Sequence, residues 1–275
     1  VTDVLSRELA SVGAIWWRDV IQFLRNKGRS ASHLAMPIMW LLLFGVGMNR
    51  AFQPGALGGG VSYIQFVYPG IVGMTILFGG LFSAFGIVAD QEFGYLKAFL
   101  VAPIRPSSMV LGRILSGVTL TVAQALVMVV MAPVVGISLT IPMLLQLVPI
   151  IVLFAFTTTA ASVALAGLIR SHVGFIVANQ FITLPLFFTC GAVFPMVNLP
   201  AWMDFLVKIN PATYAVDALR LVALTGQGVG LPAVARLGPF LFGRPVGLAA
   251  DLAITVGFTT LFFALAVRSF SRPMS

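Results

Sequence analysis

Besides four tyrosines, the ionisable chemistry of these 275 residues is confined to eight acidic and sixteen basic side chains, two histidines and one cysteine. The closest acidic pair in sequence is Asp90 with Glu92. A metal-dependent transferase needs clustered carboxylates, and a hydrolase needs a nucleophile with a base beside it. One pair of carboxylates in a charged loop supplies neither. His33 and His172 lie far apart, which disfavours zinc chemistry,. Cys190 is the sole cysteine, so the chain forms no internal disulfide and no cysteine metal cluster,. A phosphate-binding loop requires Gly-x-x-x-x-Gly-Lys-Ser/Thr, in which backbone N–H groups and a lysine surround the phosphates. Lys27, Lys97 and Lys208 precede Gly28, Ala98 and Ile209, and Gly58-Gly59-Gly60 has no lysine, so ATP hydrolysis is not expected of this chain. Asp217 and Arg220 stand three apart, a helical spacing at which opposite charges pair,.

These residues must be positioned by elements that are mostly apolar. Hydrophobic side chains make up 59% of the sequence and charged ones only 9%, too few to clothe a soluble surface, for which about 25% is usual,. Charges bracket long uncharged stretches: Ser30–Asn49, Ala51–Ala89, Ile114–Ile169, Ser171–Met203 and Leu252–Val267. A membrane span takes about 20 apolar residues, so the fold expected is an all-α polytopic membrane protein crossing the bilayer six times. The spans read as about 34–50, 68–89, 112–135, 143–168, 173–191 and 246–267, with Gly136 and Pro142 dividing the 56-residue run Ile114–Ile169. The opening residues do not read as a cleavable signal, because a mixed, charged stretch precedes the first apolar run.

Residues 1–30 read as an amphipathic helix, with Leu5, Leu9, Val12, Trp16, Val20 and Phe23 recurring every three or four positions,. Trp16, Trp17, Arg18 and Arg25 suit a helix lying at the membrane interface, and equally one packed on another protein domain. Segment Asp90–Arg113 carries too many charges for hydrocarbon, where each costs about 2.5–3.5 kcal/mol, so residues 90–111 form a loop. A short helix Glu92–Leu100 is expected there, with Phe93, Leu96 and Leu100 on one face, and Glu92 within reach of Arg113, Arg18 or Arg25. Residues 192–245 read as the second large loop. Within it, Pro195, Pro200 and Trp202 hold short helices dipping into the bilayer, and Asn210, Pro211, Tyr214, Asp217 and Arg220 anchor structure. Phe82 and Phe85, with Asn179 and Gln180, are candidates for lining a substrate path, although packing and interhelical hydrogen bonds are the commoner uses of such residues.

The net charge of +8 reflects topology rather than nucleic-acid binding, since no basic stripe is visible. One side would hold Arg7, Arg18, Arg25, Lys27, Arg29, Lys97, Arg105, Arg113, Arg170, Arg268 and Arg272, and the other Arg50, Lys208, Arg220, Arg236 and Arg244. Eleven against five places both termini in the cytoplasm.

Three stretches in order resemble a known family. They are Tyr68-Pro69-Gly70 opening the second span; Glu92-x-Gly94 with Ala102-Pro103-Ile104 and Gly112-Arg113 in the loop; and Asn210-Pro211…Tyr214…Asp217-x-x-Arg220 before the last span. The chain resembles the membrane subunits of the ABC-2 type of ABC transporter, chiefly bacterial exporters of drugs, lipids and glycans. Ala212 departs from the larger apolar residue more usual there, and the Gly226–Pro245 stretch is longer and richer in Gly and Pro. The resemblance implies a permease in the bacterial cytoplasmic (inner) membrane that pairs with a second copy or a homologue. It also implies two copies of a separate ATPase subunit, which hold the ATP and Mg, with no cofactor in this chain. The coupling residues it implies are Asp90, Gln91, Glu92, Phe93, Gly94, Tyr95, Lys97, Arg105 and Arg113. A lipophilic or amphipathic substrate is expected. The alternative, an ion-gradient-driven transporter or channel, usually carries ionisable groups near the midplane, and the central parts of these spans have none.

Overall fold

In hydrocarbon a backbone N–H or C=O has no water to bond, so an apolar chain satisfies these groups within helices. The computed structural model describes residues 2–25, 35–47, 61–92, 106–169, 171–197, 199–241 and 243–271. Helix α1 is Thr2–Arg25, and α2 covers 35–40 and runs on as a wider π-type helix, Leu41–Gly47. Then come α3 (Tyr63–Phe82), α4 (Phe85–Glu92), α5 (Pro106–Val130), α6 (Ile141–Ala166) and α7 (His172–Thr189). The remaining helices are α8 (Ala201–Ile209), α9 (Pro211–Thr225), α10 (Leu231–Ala235) and α11 (Leu248–Ser271). A small antiparallel hairpin pairs β1 (Phe240–Leu241) with β2 (Arg244–Pro245), with Phe240 opposite Pro245.

Among the described residues, five helical segments are long and apolar enough to cross a membrane: Tyr63–Asp90, Ser107–Val130, Ile141–Ala166, His172–Thr189 and Leu248–Phe270. The protein is therefore multi-pass. The expected first span, 34–50, is described only over 35–47, and the rest of it lies outside the described residues. Helix α3 is the centre of the bundle: 67% of the apolar window in Tyr63–Asp90 is buried, against 17% for Leu248–Phe270. It packs on α5, α6, α7 and α9, while α6 packs on α11 and α1 lies along α5.

Local sequence explains the boundaries. Ser62 and Gln65 form a reciprocal capping box at the start of α3: the Gln65 N–H donates to Ser62 Oγ at 3.3 Å and the Ser62 N–H to Gln65 Oε1 at 3.1 Å,. The helix breaks at Ser83-Ala84, where the Ser83 hydroxyl donates to the Gly80 carbonyl at 2.6 Å. Gly136, with φ +79°, closes the turn between α5 and α6, a conformation that disfavours any side chain,. Asn210 caps α9 by accepting from the Ala212 N–H at 2.9 Å, with Pro211 at the first helical position, where its missing N–H costs nothing,.

Buried hydroxyls join the helices across the bundle. Thr157 and Thr259 meet at 2.6 Å between α6 and α11, and Ser162 donates to the Leu81 carbonyl of α3 at 2.5 Å. Thr157 and Thr259 also bond carbonyls four residues back in their own helices, at 2.9 and 2.7 Å, the usual way a hydroxyl is satisfied in an apolar setting,.

Candidate coupling site and buried charges

Helices α1, α4 and α5 converge on a cluster of two arginines and two aspartates. Gly112 on α5 permits the approach, because an added Cβ would stand 3.1 Å from both Ile15 Cβ and the Val12 carbonyl oxygen of α1. Two turns along α5, Trp16 Nε1 donates to Thr119 Oγ1 at 3.0 Å, fixing the register of the two helices,. Arg113 then reaches Asp19 at 3.0 Å and pairs with Asp90. Arg18 bridges the same two carboxylates, at 3.0 Å to Asp19 and 3.1 Å to Asp90, and the Ser116 hydroxyl faces Asp19 at 3.2 Å. Exposure grades across the cluster, from 7% at Arg113 to 42% at Arg18, so Arg113 is the enclosed member and Arg18 the solvated one. Partial burial pulls the Arg18 pKa down, but Asp19 and Asp90 outweigh it and raise it above the ordinary value,.

Glu92 does not join this cluster. It was expected within reach of Arg113, Arg18 or Arg25; instead its carboxylate accepts from the His172 N–H at 2.9 Å, at the N-terminus of α7. Two residues on a helix point about 200° apart, so Asp90 and Glu92 hold different neighbours. An opening of about 390 Å³ lies between α1, α4, α5 and α7, lined by Gln22, Phe85, Asp90, Arg113 and His172 among others. Gln91 belongs to α4, whereas Phe93, Gly94, Tyr95, Lys97 and Arg105 lie outside the described residues.

The other sequence-predicted residues are distributed as follows. Trp17 and Arg25 of α1 are exposed. Phe82 and Phe85 stack with centroids 5.1 Å apart and planes at 6°, and Phe85 also meets Phe175 edge-on at 5.3 Å. Asn179 is fully buried and Gln180 exposed, so the two do not share one face of α7. Pro195 is half-buried, Pro200 precedes α8 at its cap position, and Trp202 is exposed. The Asn210 side-chain amide donates to the Leu186 carbonyl at 2.7 Å and to Thr189 Oγ1 at 2.8 Å, tying α9 to α7. The Tyr214 hydroxyl donates to the Lys208 carbonyl at 2.6 Å, tying α9 to α8.

A second group of charges is wholly enclosed. Asp217, Arg220 and Asp251 each have zero exposure. Arg220 Nη1 stands 3.7 Å from Asp217 Oδ1, Nη2 donates to the Gly191 carbonyl, and the guanidinium carbon lies 4.3 Å above the Phe66 ring. Burial pushes the Asp217 carboxyl above the usual carboxylate range, with Arg220 opposing,.

Below α9 runs an apolar groove of about 390 Å³ between α3, α6, α7 and α11. Leu81, Phe154, Ala161, Ile182 and Phe262 line it, and Arg268 stands at its rim.

The ABC-2 type transporter family matches residues 10–224. The chain belongs to that family. It is 31% identical over 206 residues to the ycf38 protein of Cyanophora paradoxa, named as a transport permease, covering 74% of this chain and 70% of that one. Nodulation protein J of Rhizobium leguminosarum bv. trifolii is 28% identical over 218 residues, covering 77% and 80% of the two chains. The protein DrrC of Mycobacterium tuberculosis, named as a doxorubicin resistance ABC transporter permease, is 26% identical over 216 residues, covering 77% and 73%. An ABC-2 permease is a membrane transport subunit and not itself an enzyme; it works with an ABC ATPase.

Two acidic residues escaped the sequence reading. Asp19 sits on the helix whose aromatic and basic residues drew attention, and its partner Arg113 is 94 positions away. Asp251 lies near the start of the expected span 246–267, just before the uncharged stretch that begins at Leu252, and no role was expected of it.

Proposed function

We propose that this permease exports a lipophilic or amphipathic substrate, such as a drug, lipid or lipid-linked glycan, out of the cytoplasm or the inner leaflet. It would do so as a pair of permeases driven by two ATPase subunits. The observation that carries the reading is the Arg18–Asp19–Asp90–Arg113 cluster. It joins α1, α4 and α5 at the points where the chain enters and leaves the 93–105 segment. An ATPase pushing on that segment would therefore move three helices together. The apolar groove supports a lipophilic substrate, and the name of the M. tuberculosis relative supports a drug.

On this reading α1 is a cytoplasmic amphipathic helix at the membrane interface. Residues 90–111, from the end of α4 through 93–105 to the first turns of α5, form the coupling segment, 192–245 the outer loop, and the remainder of 31–275 six spans in a bacterial cytoplasmic membrane, with both termini inside. The basic-residue count supports that orientation.

Inside-out vesicles test the function. Uptake of a lipophilic fluorophore should require both the permease and its ATPase with hydrolysable ATP, and Gly94→Val should abolish uptake while leaving substrate binding intact. Uptake driven by an ion gradient without ATP would overturn the reading. For orientation, in a Cys190→Ala background, cysteine at Ser107 should react only from the cytoplasm and at Gly228 only from outside; opposite labelling would invert the topology.

A further inference from the structure

The enclosed charges between α9 and α11 do not balance. Asp217 and Asp251 carry one negative charge each when ionised, and Arg220 carries one positive charge. All three side chains have zero exposure, so water does not make up the difference. Asp251 lies in the first turn of α11, which packs on α9, so its carboxyl and that of Asp217 are enclosed at one helix–helix contact. As two carboxylates, however, they have only acceptors to offer, and all four oxygens are without a hydrogen-bond partner among the described residues. Arg220 Nε and Nη1 are likewise without a hydrogen-bond partner there. A buried, unpaired carboxylate is costly, and like charges in contact make it costlier, so such a pair holds a proton.

The surroundings close the site. From α9 come Arg220 and Tyr214, and from the chain after α7 come Cys190 and the Gly191 carbonyl that takes an Arg220 N–H. Helix α3 supplies the Phe66 ring under the guanidinium. The backbone of Gly238 covers the Asp217 carboxyl so closely that a Cβ there would collide with it.

We infer that Asp217 and Asp251 form a proton-binding site, sharing one proton as an acid–carboxylate hydrogen bond that joins α9 to the first turn of α11 and leaves one net negative charge for Arg220 to neutralise. Binding is a plain protonation: one carboxylate oxygen takes a proton from water, and the resulting O–H donates to the other carboxylate. The site does not depend on the export reading.

The test is infrared spectroscopy of the permease–ATPase complex in lipid nanodiscs. At neutral pH the wild type should show the carbonyl band of a protonated, unexchanged carboxylic acid. Asp251→Asn and Asp217→Asn should each remove that band, because the remaining carboxylate then pairs one-to-one with Arg220. Wild type alone supplies a second reading if either variant fails to fold. The folded complex holds a proton that the unfolded chain releases at neutral pH, so stability is full at low pH and is lost as pH rises through the site's folded value. The folding constant should fall by up to tenfold per pH unit there. A wild type with no protonated-acid band, a band that survives either substitution, or a wild-type stability that does not fall with rising pH overturns the inference.

Discussion

The two charge clusters use the same side chains to opposite ends. Near α1, two arginines meet two aspartates, each aspartate touches both arginines, and solvent reaches Arg18. Between α9 and α11, one arginine meets two aspartates and nothing is exposed. An ion pair near water contributes little, about 0–1 kcal/mol, and can part and re-form. Removing one partner of a fully buried pair leaves an uncompensated charge. The first cluster is thus suited to transmit movement, and the second to hold two helices together.

Substitutions at the arginines sharpen that contrast most. Arg220→Met should destabilise the folded protein by about 3–5 kcal/mol, seen as a large drop in Tm and in membrane yield. Arg113→Ala should cost less, about 1–3 kcal/mol, since Asp19 and Asp90 keep Arg18 and some solvent. Its transport and substrate-stimulated ATP hydrolysis should nevertheless fall much further than its Tm. If Arg113→Ala proves as unstable as Arg220→Met, the two clusters are equivalent and the contrast fails.

Glu92→Ala tests the link from α4 to α7. It removes a carboxylate at a helix N-terminus, worth about 0.5–1 kcal/mol. Export should fall while substrate binding is retained, and wild-type export at equal expression would remove Glu92 from the coupling path. The smallest effect is expected of Arg18→Ala, about 0–1 kcal/mol and weaker at high salt because the side chain is solvated. A salt-independent loss of stability would show Arg18 to be as enclosed as Arg113.

Helix existence was legible because hydrocarbon leaves the backbone few choices. The turn at Gly136 could be read from one residue that tolerates a left-handed conformation beside Pro142, which opens α6. The charges of Asp90–Arg113 could be read, but not its ends: Asp90–Glu92 finish α4 and Pro106–Arg113 open α5 instead of forming loop, because ion pairs with α1 hold the charges of Asp90 and Arg113. Nor could partner choice within it be read: periodicity states which way a side chain points on its own helix, not what another helix brings there. That is why Glu92 was assigned candidate arginines that Asp90 holds, and why Asp19 was missed. The Gly226–Pro245 stretch conceals α10 and the β1–β2 hairpin, because its Gly and Pro residues specify local bends while the docking of Leu237 onto Met196, through a 3.1 Å backbone hydrogen bond, is tertiary.

Chain order gives the second cluster a history. Ribosomes deliver α9 before α11, so Asp217 and Arg220 meet first, as a pair with no net charge. Such a half-made assembly can rest in the bilayer without an orphan ion while the hairpin is still being synthesised. Asp251 arrives afterwards on the helix that covers α6, and it must lose its hydration to dock. The second carboxyl therefore completes the cluster last: a C-terminal helix that fails to seat leaves Asp251 in water and Asp217 with Arg220 alone.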